Sequence, residues 1–245
     1  MTDAPVDVRS GTVLPARRED IELHTEDGLT LVGELALPEG REPVATLITL
    51  HPLPTEGGFM DSHVFRKAAA RLPAQADLAV LRFNTRGTQS PRGRSEGSFG
   101  DGVTERADVA AAVEFVHERG LPNPWLVGWS FGTELALKYG RIDAIRGVIL
   151  LSPPLHRATV QDLREWVGDP RPVVALIPEF DDFLRPEEAE RRFAVVPDLE
   201  VVPVEGAKHL WVGEKQTRRV LTEIVSRVNP AALPLEATWS PTARP

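Results

Sequence analysis

No cysteine occurs among the 245 residues. This excludes disulfides, thiolate metal sites, iron–sulfur ligation and a cysteine nucleophile together. Long apolar runs are also missing. The longest, such as Gly147-Val148-Ile149-Leu150-Leu151, fall far short of the roughly 20 residues needed to span a membrane. The acidic N-terminus, Met1–Asp7, lacks the apolar centre of a secretory signal. These three absences together lead us to expect a cytoplasmic protein with no membrane association. Lysine is scarce as well, confined to Lys67, Lys138, Lys208 and Lys215, and the other basic residues are Arg. Asp and Glu (36) outnumber Lys and Arg (28), for a net charge of −8. A surface of that sign repels phosphate backbones, so no nucleic-acid partner is expected.

What remains is the ordinary composition of a soluble globular domain. Hydrophobic residues make up 42% and charged residues 26%, enough to build a core and too apolar for disorder over most of the length. Residues 1–18 mix Pro, Asp, Arg and Gly without periodicity and read as a flexible arm. Ile21–Thr25 and Leu29–Leu37 alternate around Glu26-Asp27-Gly28, the pattern of an antiparallel hairpin. Beyond it, short apolar runs (Ala45–Leu50, Leu78–Phe83, Trp125–Gly128, Val148–Leu151, Val173–Ile177, Glu200–Val204) alternate with amphipathic stretches. The latter are Val64–Leu72, Glu105–Glu118, Phe131–Tyr139, Pro186–Phe193 and Glu214–Val228. Continuous apolar strands alternating with helices predict a mostly parallel α/β sheet covered on both faces. The expected organisation is a single domain over 19–228, followed by a Pro- and Ala-rich tail over 229–245 in which Trp239 offers an anchor to the body.

Gly128-Trp129-Ser130-Phe131-Gly132 lies between an apolar strand and a helix, the context that a G-x-S-x-G nucleophile turn requires. A sharp turn there lifts the serine above the sheet, and the flanking glycines let neighbouring backbone approach. The alternative is an ordinary β–α turn with a serine N-cap. A serine nucleophile needs a positioned base. His209 follows the strand run Glu200–Val204, and Asp181 and Asp182 follow Val173–Ile177. Ser130, one of the two aspartates, and His209 therefore each come at the C-terminal end of a predicted parallel strand and converge on one sheet edge.

With these stretches, and with His51-Pro52-Leu53-Pro54, Gly57-Gly58-Phe59-Met60-Asp61, Arg82-Phe83-Asn84-Thr85-Arg86-Gly87 and Ser95-Glu96-Gly97-Ser98-Phe99, the chain resembles the alpha/beta-hydrolase superfamily from about Ile21 to about Val228. It is similar in particular to the small, lidless bacterial members. The resemblance implies the alpha/beta-hydrolase fold with a minimal lid, Ser130 as nucleophile, His209 as general base and an orienting Asp. It also implies an oxyanion hole made by the N–H of Phe131 and, because Pro52 has no N–H, that of Leu53. Relatives commonly place the acid at Gly-x-x-Asp after the strand. Counted from Ile177 this selects Asp181, whereas a D-x-x-x-P count to Pro186 selects Asp182. The strand is the more rigid reference, so Asp181 is the expected acid.

The implied activity is hydrolysis of a small ester-type acyl substrate through an acyl-enzyme, without metal or cofactor. A thioesterase, an amidase or an acyltransferase would use the same residues, and a non-catalytic binding member of the fold is the alternative of another class. Oligomeric state is not readable. His51 precedes the oxyanion turn and reads as a loop-shaping residue. Arg82, Arg86, Arg92 and Arg94 read as paired or solvated, and Asp101, Glu105 and Asp108 as setting the start of a helix. His24, His63, His117 and His156 show no metal-ligand spacing. Trp129 and Trp211 flank the serine and histidine, where either pocket shaping or core packing accounts for them.

Overall fold

In Ala45–Leu50 (β4), successive side chains enter opposite sides of the sheet. Leu47 joins one apolar cluster, and Ile48 and Leu50 join the other. Leu78–Phe83 (β5) and Pro124–Trp129 (β8) divide in the same way, and every residue of the three strands is buried. The two-residue period of a strand buried on both faces thus explains the unbroken apolar runs.

The computed structural model describes residues 5–240. The outermost residues of the expected arm and tail, 1–4 and 241–245, lie outside the described residues. Arg17–His24 (β2) and Thr30–Leu37 (β3) form the antiparallel hairpin, and β3 also pairs antiparallel with β5. With Gly147–Leu151 (β9), Val173–Phe180 (β10) and Leu199–Lys208 (β11), they complete an eight-stranded sheet of order β11-β10-β9-β8-β4-β5-β3-β2. From β5 to β11 all neighbours are parallel. His63–Ala76 (α1) and Glu214–Val228 (α6) cover one face. Arg106–Glu118 (α2), Phe131–Tyr139 (α3) and Pro186–Phe193 (α5) cover the other. A short ribbon pairs Gln89–Ser90 (β6) with Gly93–Arg94 (β7). Between β9 and β10 the chain forms one five-residue helix, Val160–Arg164 (α4), closed by a Thr159–Asp162 capping box. No described helix is long and apolar enough to cross a membrane.

At their C-terminal ends β10 and β11 run further than their apolar patterns suggest. β10 continues through Pro178 to Phe180, and β11 continues through Gly206 to Lys208, so His209 opens the turn directly after the strand. Past Leu176 β10 has outrun β9 and pairs with β11 alone, a position where a proline without an N–H is tolerated. The register shifts between Pro178 and Phe180. Gly206, at φ 67°, donates its N–H to Glu179 and carries the partner strand through the irregularity.

The described part of the arm is held in place. Val6–Asp7 (β1) pairs antiparallel with Thr238–Trp239 (β12). Pro73 lies inside α1 and cannot donate to the Ala69 carbonyl. Arg18 donates to that carbonyl instead, at 3.3 Å, and the Leu14 N–H donates to Ala70 at 2.8 Å. Arg71 reaches back to the Arg9 carbonyl and also pairs with Glu214 of α6. The arm thus supplies a donor to the Ala69 carbonyl that Pro73 leaves without its helical partner.

Candidate active site

The C-terminal ends of β4, β8, β10 and β11 meet at one edge of the sheet. At the end of β8 the chain turns sharply. Ser130 adopts φ 53°, ψ −116°, a conformation costly for a residue with a Cβ. Three hydrogen bonds hold it there. The Ser130 N–H donates to Leu151 at 2.9 Å, and the Ser130 carbonyl accepts from the Thr133 N–H (2.9 Å) and Oγ1 (2.6 Å). The glycines are required by contact. A Cβ on Gly132 would overlap the Leu50 carbonyl, and one on Gly128 would overlap the backbone of Gly132. Ser130 stands at the N-cap position of α3, yet its side chain makes no capping bond.

Instead, Ser130 Oγ lies 2.9 Å from His209 Nε2. His209 Nδ1 lies 2.9 Å from Asp181 Oδ2. Asp181 is buried, and its other oxygen accepts the N–H groups of Phe183 (2.8 Å) and Leu184 (3.1 Å), which fixes the carboxylate plane. Asp182 points elsewhere and is exposed. The His209 main chain is clamped too, since its carbonyl accepts from Trp129 Nε1 at 3.1 Å and from Ser152 Oγ at 3.0 Å. The sequence reading did not single out Ser152. The available signal was a polar residue immediately after the apolar run of β9. Trp129 and Trp211 are core residues, and Trp129 contributes the clamp rather than a pocket wall.

The loop after β4 is shaped by His51. Its Nε2 accepts the Thr85 N–H at 3.0 Å, which places the proton on Nδ1, and Nδ1 donates to the Pro52 carbonyl at 2.6 Å. Burial pushes His51 down to about 4, keeping the ring neutral, while the bond to Pro52 pulls weakly the other way. In a trans peptide the C=O and N–H point in opposite directions. Locking the Pro52 carbonyl therefore locks the Leu53 N–H on the other side of the same plane. Gly58 packs directly on the Pro52 carbonyl, where a Cβ would collide, and the Leu53 carbonyl accepts from Glu56 and Gly58.

Leu53 and Phe131 line a cavity of about 600 Å³ with Ser130 and His209, a volume suited to a small molecule. Pro52, Pro154, Phe183 and Leu210 give it an apolar wall, and Glu56, His156, Arg157 and Asp182 add polar groups.

The arginine stretch is structural. Arg82 pairs with Glu34 and Asp61, Arg86 with Asp27 and Asp108, and Arg92 with Asp20, Glu34 and Asp61. Glu105 and Asp108 do more than begin a helix. Glu105 accepts the N–H groups of Gly100 and Gly102, and Asp108 accepts that of Arg86.

The profile of the alpha/beta hydrolase family matches residues 47–234. An alpha/beta serine hydrolase homologue from Coxiella burnetii is 25% identical, with TM-score 0.71 over 86% of this chain and 97% of its own. An alpha/beta serine hydrolase without lid from Xanthomonas campestris shares the fold at 24% identity and TM-score 0.69, over 96% of this chain and 100% of that one. An uncharacterized protein of Rickettsia prowazekii is 32% identical over 128 residues, 48% of this chain and 51% of the relative, so the match spans about half the length of that relative. The chain belongs to the alpha/beta hydrolase family.

Proposed function

We propose that the protein is a serine hydrolase of small ester-type acyl substrates, with Ser130, His209 and Asp181 as its triad. The observation that carries this reading is the unbroken chain of two 2.9 Å contacts from Ser130 Oγ through His209 to the buried Asp181 carboxylate.

Ser130 Oγ attacks the substrate carbonyl carbon while its proton passes to His209 Nε2. The carbonyl π pair moves to oxygen, and the Leu53 and Phe131 N–H groups receive the oxyanion. Each such donor contributes about 3 kcal/mol to the transition state. Asp181 holds the imidazole in the Nδ1–H tautomer and stabilises the imidazolium that forms. As the C–O bond breaks, His209 returns the proton to the leaving alcohol and an acyl-enzyme remains. A water then gives its proton to His209, its oxygen attacks the acyl carbon, and Ser130 departs with the proton. The products are an alcohol and a carboxylic acid.

Between β9 and β10 the described chain offers as a lid one helix, α4, of five residues, which is too short to wall a deep acyl tunnel. Short and medium acyl groups should therefore be preferred. The test is kcat/KM over p-nitrophenyl esters from acetate to palmitate, with acyl-thioesters and anilides alongside. Turnover should be greatest on short or medium esters and fall by several orders of magnitude in Ser130→Ala. Turnover that survives this substitution, or that rises steeply on long chains, contradicts the reading.

A further inference from the structure

The charge lining the cavity is lopsided. Arg157 is the one permanent cation there among the described residues, and it is already occupied. Its Nε donates to Asp101 at 2.7 Å, its Nη1 faces fully buried Glu134 at 3.4 Å, and its guanidinium lies 5.4 Å above the Phe131 ring. Glu134 also accepts the main-chain N–H groups of Arg157 and Ala158, so this pair is fixed as part of the wall. Glu56 and Asp182 differ. Both line the cavity and both are exposed, and neither makes a side-chain hydrogen bond or ion pair with another described residue. They enter from two different loops, Glu56 from the turn after β4 and Asp182 from the turn after β10. Phe183 adjoins Asp182, is 53% exposed, and sets its ring 4.6 Å from that of His209. The reacting serine is thus overlooked by two uncompensated carboxylates and an aromatic ring.

We propose that this site selects esters carrying a cationic nitrogen, a quaternary or protonated ammonium, recognised by Glu56 and Asp182 with the ring of Phe183. Carboxylates attract the cation, and an aromatic face adds a cation–π contribution. The same field acts on the product. Hydrolysis creates a carboxylate beside Glu56 and Asp182, and like-charge repulsion speeds its departure. The assignment rests on the proposed ester hydrolysis and names the substrate class of that site.

The experiment compares charged substrates with neutral isosteres, so that shape cancels. On the alcohol side, butyrylcholine is set against 3,3-dimethylbutyl butyrate. On the acyl side, the p-nitrophenyl ester of 4-(trimethylammonio)butyrate is set against that of 5,5-dimethylhexanoate, with the glutarate monoester as the anionic arm. In at least one pair the cation should be favoured in kcat/KM by about tenfold at low salt, and the anionic ester should be the slowest. The ratio should shrink toward one as salt is raised to about 1 M, where the screening length falls to about 3 Å. It should also collapse in the Glu56→Gln/Asp182→Asn double variant. The neutral isostere measured in each variant is the baseline, so general damage to turnover cancels from the ratio. A ratio at or below one in both pairs, or one that the double substitution leaves unchanged, overturns the assignment while leaving ester hydrolysis standing. If no ester is turned over, the hydrolase reading fails separately. The charge preference is then read from the rate of Ser130 phosphorylation by a dialkyl phosphorothiolate with a cationic choline-type leaving group against its neutral isostere, and equal rates overturn it.

Discussion

Trp129, the residue before Ser130, donates its indole N–H to the main-chain carbonyl of His209 at 3.1 Å, so the turn that carries Ser130 also holds His209. Ser152 adds a second donor to the same carbonyl, from the end of the neighbouring strand β9. His209 is thereby tied to two strands besides the one it follows. Trp129→Phe and Ser152→Ala each remove one hydrogen bond and keep most of the side-chain volume. Each should lower kcat on a neutral ester by about tenfold, the equivalent of one hydrogen bond of about 1.4 kcal/mol, with KM nearly unchanged. A rise in KM at constant kcat would show that these groups shape substrate binding instead.

The two adjacent aspartates should behave very differently. Asp181→Asn removes the acceptor facing His209 Nδ1 and should cost about 10⁴ in kcat, as the loss of the orienting carboxylate does in serine proteases. Asp182→Asn should change turnover of neutral esters by less than about threefold, because the hydrogen bond to His209 Nδ1 comes from Asp181 and not from Asp182. Steady-state kinetics on one neutral ester checks both, and the reverse ranking would move the acid by one residue.

Leu53 offers a clean test of the proposed oxyanion donor. Its φ of −55° is one that proline adopts, so Leu53→Pro removes the N–H with little change of backbone. The loss expected in kcat is about 10² to 10³, with thermal stability close to the parent. A variant that retains full turnover would mean that Leu53 is not the second donor.

His51 makes stability depend on pH. An imidazole in the unfolded chain titrates near about 6.5, whereas burial holds the folded group at about 4. Between those values the unfolded chain binds a proton that the folded chain does not. Stability from this source is therefore fully present above about pH 6.5 and falls by about 1.4 kcal/mol per unit as pH drops toward 4. Below that both states are protonated and the loss levels off. Urea unfolding at pH 7, 6 and 5 should show a steeper decline for the wild type than for His51→Gln, with other titrating groups common to both. Parallel curves would contradict the burial argument.

Much of this molecule could be read from the chain alone, and the remainder has physical reasons. The bounds of β4, β5, α3, α5 and α6 coincide with their sequence patterns, because burial imposes an unbroken apolar run on these strands and an amphipathic stripe on these helices. Ser130, Asp181 and His209 each follow an apolar run, and parallel strands bring such positions to one edge. The ends of β10 and β11 were hidden by Pro178 and Gly206, residues that break a pattern without breaking the ladder. The order in residues 5–18 was hidden because its partners lie far along the chain. Val6 pairs with Trp239, and Arg18 serves a carbonyl freed by Pro73. The clamp on His209 depends on where two side chains point, which periodicity does not encode.

The measurement that bears most directly on the central claim is intact-mass and peptide analysis after exposure to a fluorophosphonate, which labels a serine only when a neighbouring base activates it. The account predicts one adduct per chain, mapped to Ser130, absent in Ser130→Ala and strongly slowed in His209→Ala. An unlabelled chain, or an adduct on another residue with Ser130 unmodified, would contradict it.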